Sequence, residues 1–111
     1  MLKNDRYTYR ITWSEEDQDY AGLCVEFPSL SWLDKNPEAA LAGIRSVVAE
    51  AVQDMKANKE TPPEPISSKH FSGRFMVRIP PELHRKLAME AQEEGISLNR
   101  LASDKLSRQD A

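Results

Sequence analysis

The sequence predicts an α+β fold divided into two small units, and three observations carry that expectation. Residues 1–60 begin with short runs of alternating polar and apolar side chains. They then change to one long stretch of three- and four-residue apolar spacing, the order expected of strands followed by a helix. Residues 61–72 are rich in proline and serine and read as a linker. Residues 73–109 open on a short alternating run stopped by a proline pair and continue with two amphipathic helical stretches. With 111 residues, 40% hydrophobic and 30% charged, the chain holds one ordinary domain or two very small ones. A unit of about forty residues lies near the lower limit for independent folding, so the C-terminal one is expected to fold as a dimer.

In the first unit, Tyr7-Thr8-Tyr9-Arg10-Ile11-Thr12-Trp13 alternates as a strand covered on one side, with Tyr7, Tyr9, Ile11 and Trp13 facing inward. Ser14-Glu15-Glu16-Asp17-Gln18-Asp19 is an acidic turn. Tyr20 to Phe27 returns as a second strand, making a hairpin, and Ser31-Trp32-Leu33 after Pro28-Ser29-Leu30 is a short third strand. The helix then has a defined start. Asn36 suits the N-cap, Pro37 the first helical position, and Glu38 the positive end of the dipole. Leu41, Ile44, Val48, Ala51, Val52 and Met55 form one apolar stripe reaching about Asn58. Neither a hairpin nor a one-sided helix is stable alone in water, so the helix is expected to pack on the covered face of the strands.

Pro62-Pro63-Glu64-Pro65 and Ser67-Ser68 remove backbone donors and disfavour helix, predicting an extended spacer, with edge pairing by Ile66 left open because periodicity does not decide it. His70 has no other ligand residue near it and is expected in solvent, as is His84. Beyond the spacer, Phe75, Val77 and Ile79 alternate with Arg74, Met76 and Arg78, so one face of a strand is buried while the other offers guanidinium groups. Pro80 and Pro81 end the strand and Glu82 suits a helix start, with Leu83, Leu87, Ala88 and Ala91 on the inner side. Gly95 fits the left-handed stop, and Ser97 caps a second helix that turns Leu98, Leu101, Ala102 and Leu106 inward. A lone strand has no ladder partner, so antiparallel pairing with the same strand of a second copy is expected.

That order resembles the ribbon-helix-helix DNA-binding module. A paired ribbon enters the major groove, where Arg74 and Arg78 can bind guanine and Met76 can touch a thymine methyl. The amino end of the second helix, at Ser97, Leu98, Asn99 and Arg100, would hold a backbone phosphate. A symmetric dimer implies a palindromic site. The plainer reading of Arg74 and Arg78 is an edge strand kept soluble by charge.

The formal charge of −3 conceals an asymmetry: residues 1–65 carry −5 and residues 66–111 carry +2. An acidic body joined to a mildly basic tail suggests two partners of different charge. Cys24, the only cysteine, excludes an intramolecular disulfide and sits in the apolar run Gly22-Leu23-Cys24-Val25, where it reads as a small buried hydrophobe in a reducing compartment. Met1 to Tyr7 has no apolar signal-peptide core, and no run approaches the roughly 18 apolar residues of a membrane span. The expected location is cytoplasmic.

Taken in order, Trp13-Ser14-Glu15-Glu16-Asp17, Tyr20-Ala21-Gly22-Leu23-Cys24-Val25-Glu26-Phe27-Pro28, Ser31-Trp32 and Asn36-Pro37-Glu38-Ala39-Ala40-Leu41 resemble the HicB family of type II antitoxins. The resemblance implies a partial RNase H-like β-β-β-α domain over residues 1–60 that covers a HicA-like mRNA interferase toxin, followed by the linker and a ribbon-helix-helix domain. It also implies repression of the chain's own operon through operator DNA. Asp17, Asp19, Tyr20, Glu26, Phe27 and Trp32 are the candidates for toxin contact, although Phe27 and Trp32 equally suit the core. Two-metal nucleases need several carboxylates converging on ions about 4 Å apart. Here only Glu26 and Asp34 lie near strand ends, so no catalysis, metal or cofactor is expected. The expected partners are the toxin, DNA and a second copy, with a dimer of dimers left open. The competing expectation is a stand-alone regulator whose N-terminal domain senses a ligand or oligomerises; an RNase H-type nuclease is a third.

Overall fold

A computed structural model describes Leu2 and residues 4–108, so Gln109, the expected last residue of the C-terminal unit, lies outside the described residues. The chain divides into Met1–Ser72 and Gly73–Ala111.

In the first unit the hairpin forms as alternation predicts: β1 (Tyr9–Ser14) pairs antiparallel with β2 (Asp19–Cys24), which pairs antiparallel with β3 (Ser31–Asp34). The central strand sets the register. Tyr20 lies opposite Trp13 and Asp34, Gly22 opposite Ile11 and Trp32, and Cys24 opposite Tyr9. Directly paired residues share a face, and one face is covered by α1 (Pro37–Ala57). The Asn36 side chain accepts from the Ala39 amide at 2.7 Å, with Pro37 and Glu38 in the first turn as expected.

Cys24, Ile44, Val48 and Val52 form the core, with Leu2, Tyr7, Tyr9, Ile11, Phe27 and Leu30 packed around it. Ile44 and Val48 are fully buried, each worth about 1.5–3 kcal/mol relative to exposure. Two inward assignments are corrected. Leu41 is exposed because the buried arc runs through Ala40, Gly43 and Ala49 beside the Ile44–Val48–Val52 line; small side chains, invisible to a stripe of large ones, let the helix approach the sheet. Trp13, expected inside, is 45% exposed. The second strand also stops at Cys24 rather than Phe27. The Phe27 amide folds back onto the Cys24 carbonyl at 3.2 Å and the Leu30 amide onto the Phe27 carbonyl at 3.0 Å, so the chain turns there.

The segment expected as a spacer is tied to this unit at three points. The Tyr7 hydroxyl donates to the Pro63 carbonyl (2.8 Å), the Ile66 amide to Glu26 Oε2 (2.8 Å) and the Ser67 hydroxyl to the Arg6 carbonyl (2.6 Å). Ile66 therefore gives its amide to a side chain, not to an edge ladder. Nearby, Asp5 is a carboxylate that sequence reasoning did not single out. Its side chain is 2% exposed and takes the Tyr9 hydroxyl (2.7 and 2.9 Å), Arg45 Nε (3.2 Å) and the Tyr7 amide (3.3 Å). Burial and the hydrogen bond to Asp5 push the Tyr9 phenol well above its ordinary pKa.

In the second unit, α2 (Pro81–Glu94) and α3 (Leu98–Leu106) meet as expected through buried Ala91 and Leu101. Gly95, at φ 71°, sits in the left-handed region that stops α2. Its amide reaches the Gln92 carbonyl and the Ile96 amide the Ala91 carbonyl, the paired bonds of a Schellman turn. The Ser97 hydroxyl accepts from the Arg100 amide at 3.0 Å to cap α3, and Lys105 meets Glu90 at 3.2 Å. The strand expected over 73–79 is not formed. Residues 74–80 are irregular and all exposed, because ladder hydrogen bonds need a neighbouring strand and this unit contains none among its described residues. Leu83, Ala88 and Leu106, expected inward, are exposed as well.

Candidate protein and nucleic-acid interfaces

The acidic turn places its residues by local bonding. The Ser14 hydroxyl donates to Asp17 Oδ2 (2.9 Å) while accepting from the Asp17 amide (3.3 Å), and Gln18 Nε2 donates to the Glu15 carbonyl (2.7 Å). Antiparallel pairing then sets Tyr20 beside Trp13, with ring centroids 5.1 Å apart and planes at 70°. Trp32 lies on Gly43 of α1, where a β-carbon would collide with the indole, and remains 41% exposed. Each indole N–H finds a carboxylate: Trp13 Nε1 donates to Glu15 Oε2 at 2.7 Å and Trp32 Nε1 to Asp34 Oδ2 at 3.3 Å. Lys35 Nζ lies 2.8 Å from Asp19 Oδ1, and that hydrogen bond, with the carboxylate charge, raises the lysine pKa. Asp17, Asp19 and Tyr20 thus share the turn end of the sheet with Trp13, Glu15 and Asp34, which the sequence reading left out of its contact set, and Trp32 lies in the adjacent row beside Gly22. The signal was available: a tryptophan at the last turn of an alternating run has little sheet beyond it to cover it.

Glu26 and Phe27 sit at the opposite end of β2 and do different work. Phe27 packs against the core and meets Tyr7 edge-on at 5.3 Å. The Glu26 carboxylate accepts from the Thr8 amide (2.9 Å), the Thr8 hydroxyl (3.1 Å) and the Ile66 amide (2.8 Å), with Cys24 Sγ at 3.5 Å. Burial raises its pKa, but the bonds from Ile66 and Thr8 outweigh that and the net shift is downward. Burial pushes the Cys24 thiol up, which suits a packed side chain rather than a nucleophile.

In the second unit Arg74, Met76 and Arg78 are exposed, and so are the apolar residues between them: Phe75 is 75% and Met76 84% exposed. Both faces of the segment therefore meet solvent within a single chain. Ser97, Asn99 and Arg100 are exposed at the start of α3, while Leu98 is half-buried. The first amides of any helix have no acceptor within it, so those of Leu98 and Asn99 are directed at whatever lies beyond the helix end. Among the described residues no three His, Cys, Asp or Glu side chains are grouped as metal ligands, and no helix is long and apolar enough to cross a membrane.

The chain matches the model of the HicB family over residues 57–106, from the last residue of α1 through the end of α3. The match covers the tied segment and the second unit as far as the end of α3; the motifs of residues 13–41 lie outside it. No curated protein and no solved structure matches the chain.

Proposed function

We propose that this chain is a HicB-type antitoxin. Its N-terminal unit masks a HicA-like mRNA interferase, and its C-terminal unit forms a ribbon-helix-helix homodimer that represses the operon at palindromic operator DNA. The observation that carries the reading is the family match over residues 57–106. It falls on the unit whose sole buried side chains among the described residues are Ala91 and Leu101, while Phe75, Val77, Leu83, Met89 and Leu106 stand exposed. Apolar side chains in that number, on a unit this small, call for a covering partner. A second copy meets the need: two 73–79 segments supply each other's ladder bonds, bury Phe75, Val77 and Ile79 together, and turn Arg74, Met76 and Arg78 toward a groove. The capped start of α3 then offers its amides to a phosphate, fixing the ribbon's register without reading sequence.

The masking half needs surface, not chemistry, so the chain acts as no enzyme in this reading. An acidic unit speeds association with a basic RNA-binding face, and apolar anchors supply affinity. The test is a pull-down and RNA-cleavage assay with the product of the adjacent gene, paired with a gel shift on the upstream DNA. Binding and inhibition are expected. A purified chain that neither binds nor inhibits that product removes the antitoxin half, and a chain that does not shift the DNA removes the repressor half.

A further inference from the structure

The turn end of the N-terminal sheet carries more aromatic surface than its own core uses. The described chain's two tryptophans, at positions 13 and 32, lie on the same face, one on each edge strand, with Tyr20 between them on β2. Both remain more than 40% exposed. Each is also coupled to a carboxylate through its ring N–H, Trp13 to Glu15 and Trp32 to Asp34, so an anionic oxygen is held at the rim of each exposed ring. An indole face attracts a cation through its quadrupole, and a carboxylate at the ring edge supplies a hydrogen-bond acceptor for the same group. A planar guanidinium satisfies both demands at once, because it stacks on the ring while its N–H fork reaches sideways; an ammonium is a point charge and cannot do both. The unit itself already places a cation at this end, with Lys35 held by Asp19 at 2.8 Å. The net charge of −5 over residues 1–65 favours a basic partner over an anionic one.

We infer that Trp13–Glu15 and Trp32–Asp34 form a two-pronged arginine clamp, the site at which the N-terminal unit grips arginine side chains on a basic protein partner. The inference rests on the antitoxin reading for the identity of that partner, but the clamp chemistry stands on the geometry of this unit. Within this proposal contact centres on Trp13, Glu15, Tyr20, Trp32 and Asp34, while the Glu26 carboxylate is engaged by Thr8 and Ile66 and Phe27 packs against the core.

Because both tryptophans lie in the clamp, intrinsic fluorescence reports on it directly. The full chain is titrated with a short Gly-Arg repeat peptide, a matched Gly-Lys peptide and a Gly-Glu control at physiological ionic strength. The same chain is then tested against the adjacent-gene product. The clamp predicts a saturable emission change with the arginine peptide, binding several-fold tighter than lysine, and none with glutamate. Trp13→Ala and Glu15→Gln, both at exposed positions, are expected to weaken arginine-peptide and partner binding about tenfold each, the scale of an interface anchor, with unchanged circular dichroism. Asp34→Asn provides a second variant for the other prong, where Trp32 also supports packing. Equal response to arginine and lysine peptides, or no saturable response, overturns the clamp. Full-strength partner binding by Trp13→Ala overturns the clamp while leaving the antitoxin reading intact. Arginine-peptide binding without any binding of the adjacent-gene product supports the clamp and overturns that reading.

Discussion

At the scale of single residues, the side chains that matter most are those whose polar groups have been given a definite task. Glu26 is the clearest case, holding Thr8 and Ile66 with one carboxylate. Its pKa is lowered on folding from the ordinary value of 4.5, so its contribution is fully present above that value and lost as pH falls through the lower folded pKa. An amide proton bonded to a carboxylate is shifted downfield, and the Ile66 amide resonance is expected to move upfield on acidification with a midpoint below 4.5. Glu26→Gln should abolish that titration; an Ile66 amide that is insensitive to pH in the wild type contradicts the bond. On the DNA side, Arg74→Ala and Arg78→Ala are each expected to cost about 1–3 kcal/mol of operator binding through loss of a guanine contact. Both positions are exposed, so circular dichroism should not change. A gel shift showing undiminished affinity would remove these side chains from the readout.

The elements show where local sequence determines structure by itself and where it does not. Helix ends were legible because their chemistry is local: Asn36 and Ser97 cap, Pro37 starts and Gly95 stops as residue type alone indicates. Ser97→Ala is therefore expected to cost about 1 kcal/mol, read as a lower urea midpoint with unchanged slope. If Ser97 also helps to place a phosphate, operator affinity falls further than the stability loss explains. Strand interiors were legible from alternation, but which residues are covered depends on where a helix crosses the sheet. Alternation put Trp13 inside, whereas α1 packs over the rows of Gly22 and Cys24 and leaves Trp13 half-exposed. Proline content correctly denied helix to residues 61–69, and Ile66 alone suggested contact with the first unit; the side-chain bonds through Tyr7, Glu26 and Ser67 were not legible, since each joins residues at least 40 positions apart. Asp5 escaped notice for the same reason, its partner Arg45 lying 40 residues away.

For the whole molecule, the two units differ in how complete they are. The first closes a core around Ile44 and Val48 and secures its own C-terminal segment; the second buries little and leaves a run of alternating apolar and basic residues uncovered. Size and charge already set the two units apart in the sequence, but whether the 73–79 segment pairs with a second copy is not legible in one chain, because strand pairing is a property of two segments and not of one. Ile79→Asp follows from that view. A charge placed in the proposed shared apolar layer should convert a dimer to monomer in sedimentation and abolish DNA binding, in contrast to the arginine variants, which are expected to leave dimerisation unchanged. The most direct measurement is amide hydrogen exchange of residues 74–79 as a function of protein concentration. Ribbon pairing predicts exchange that slows as dimers accumulate and becomes fast again on dilution or in Ile79→Asp. Fast exchange of these amides in a solution shown by sedimentation to be dimeric would contradict it.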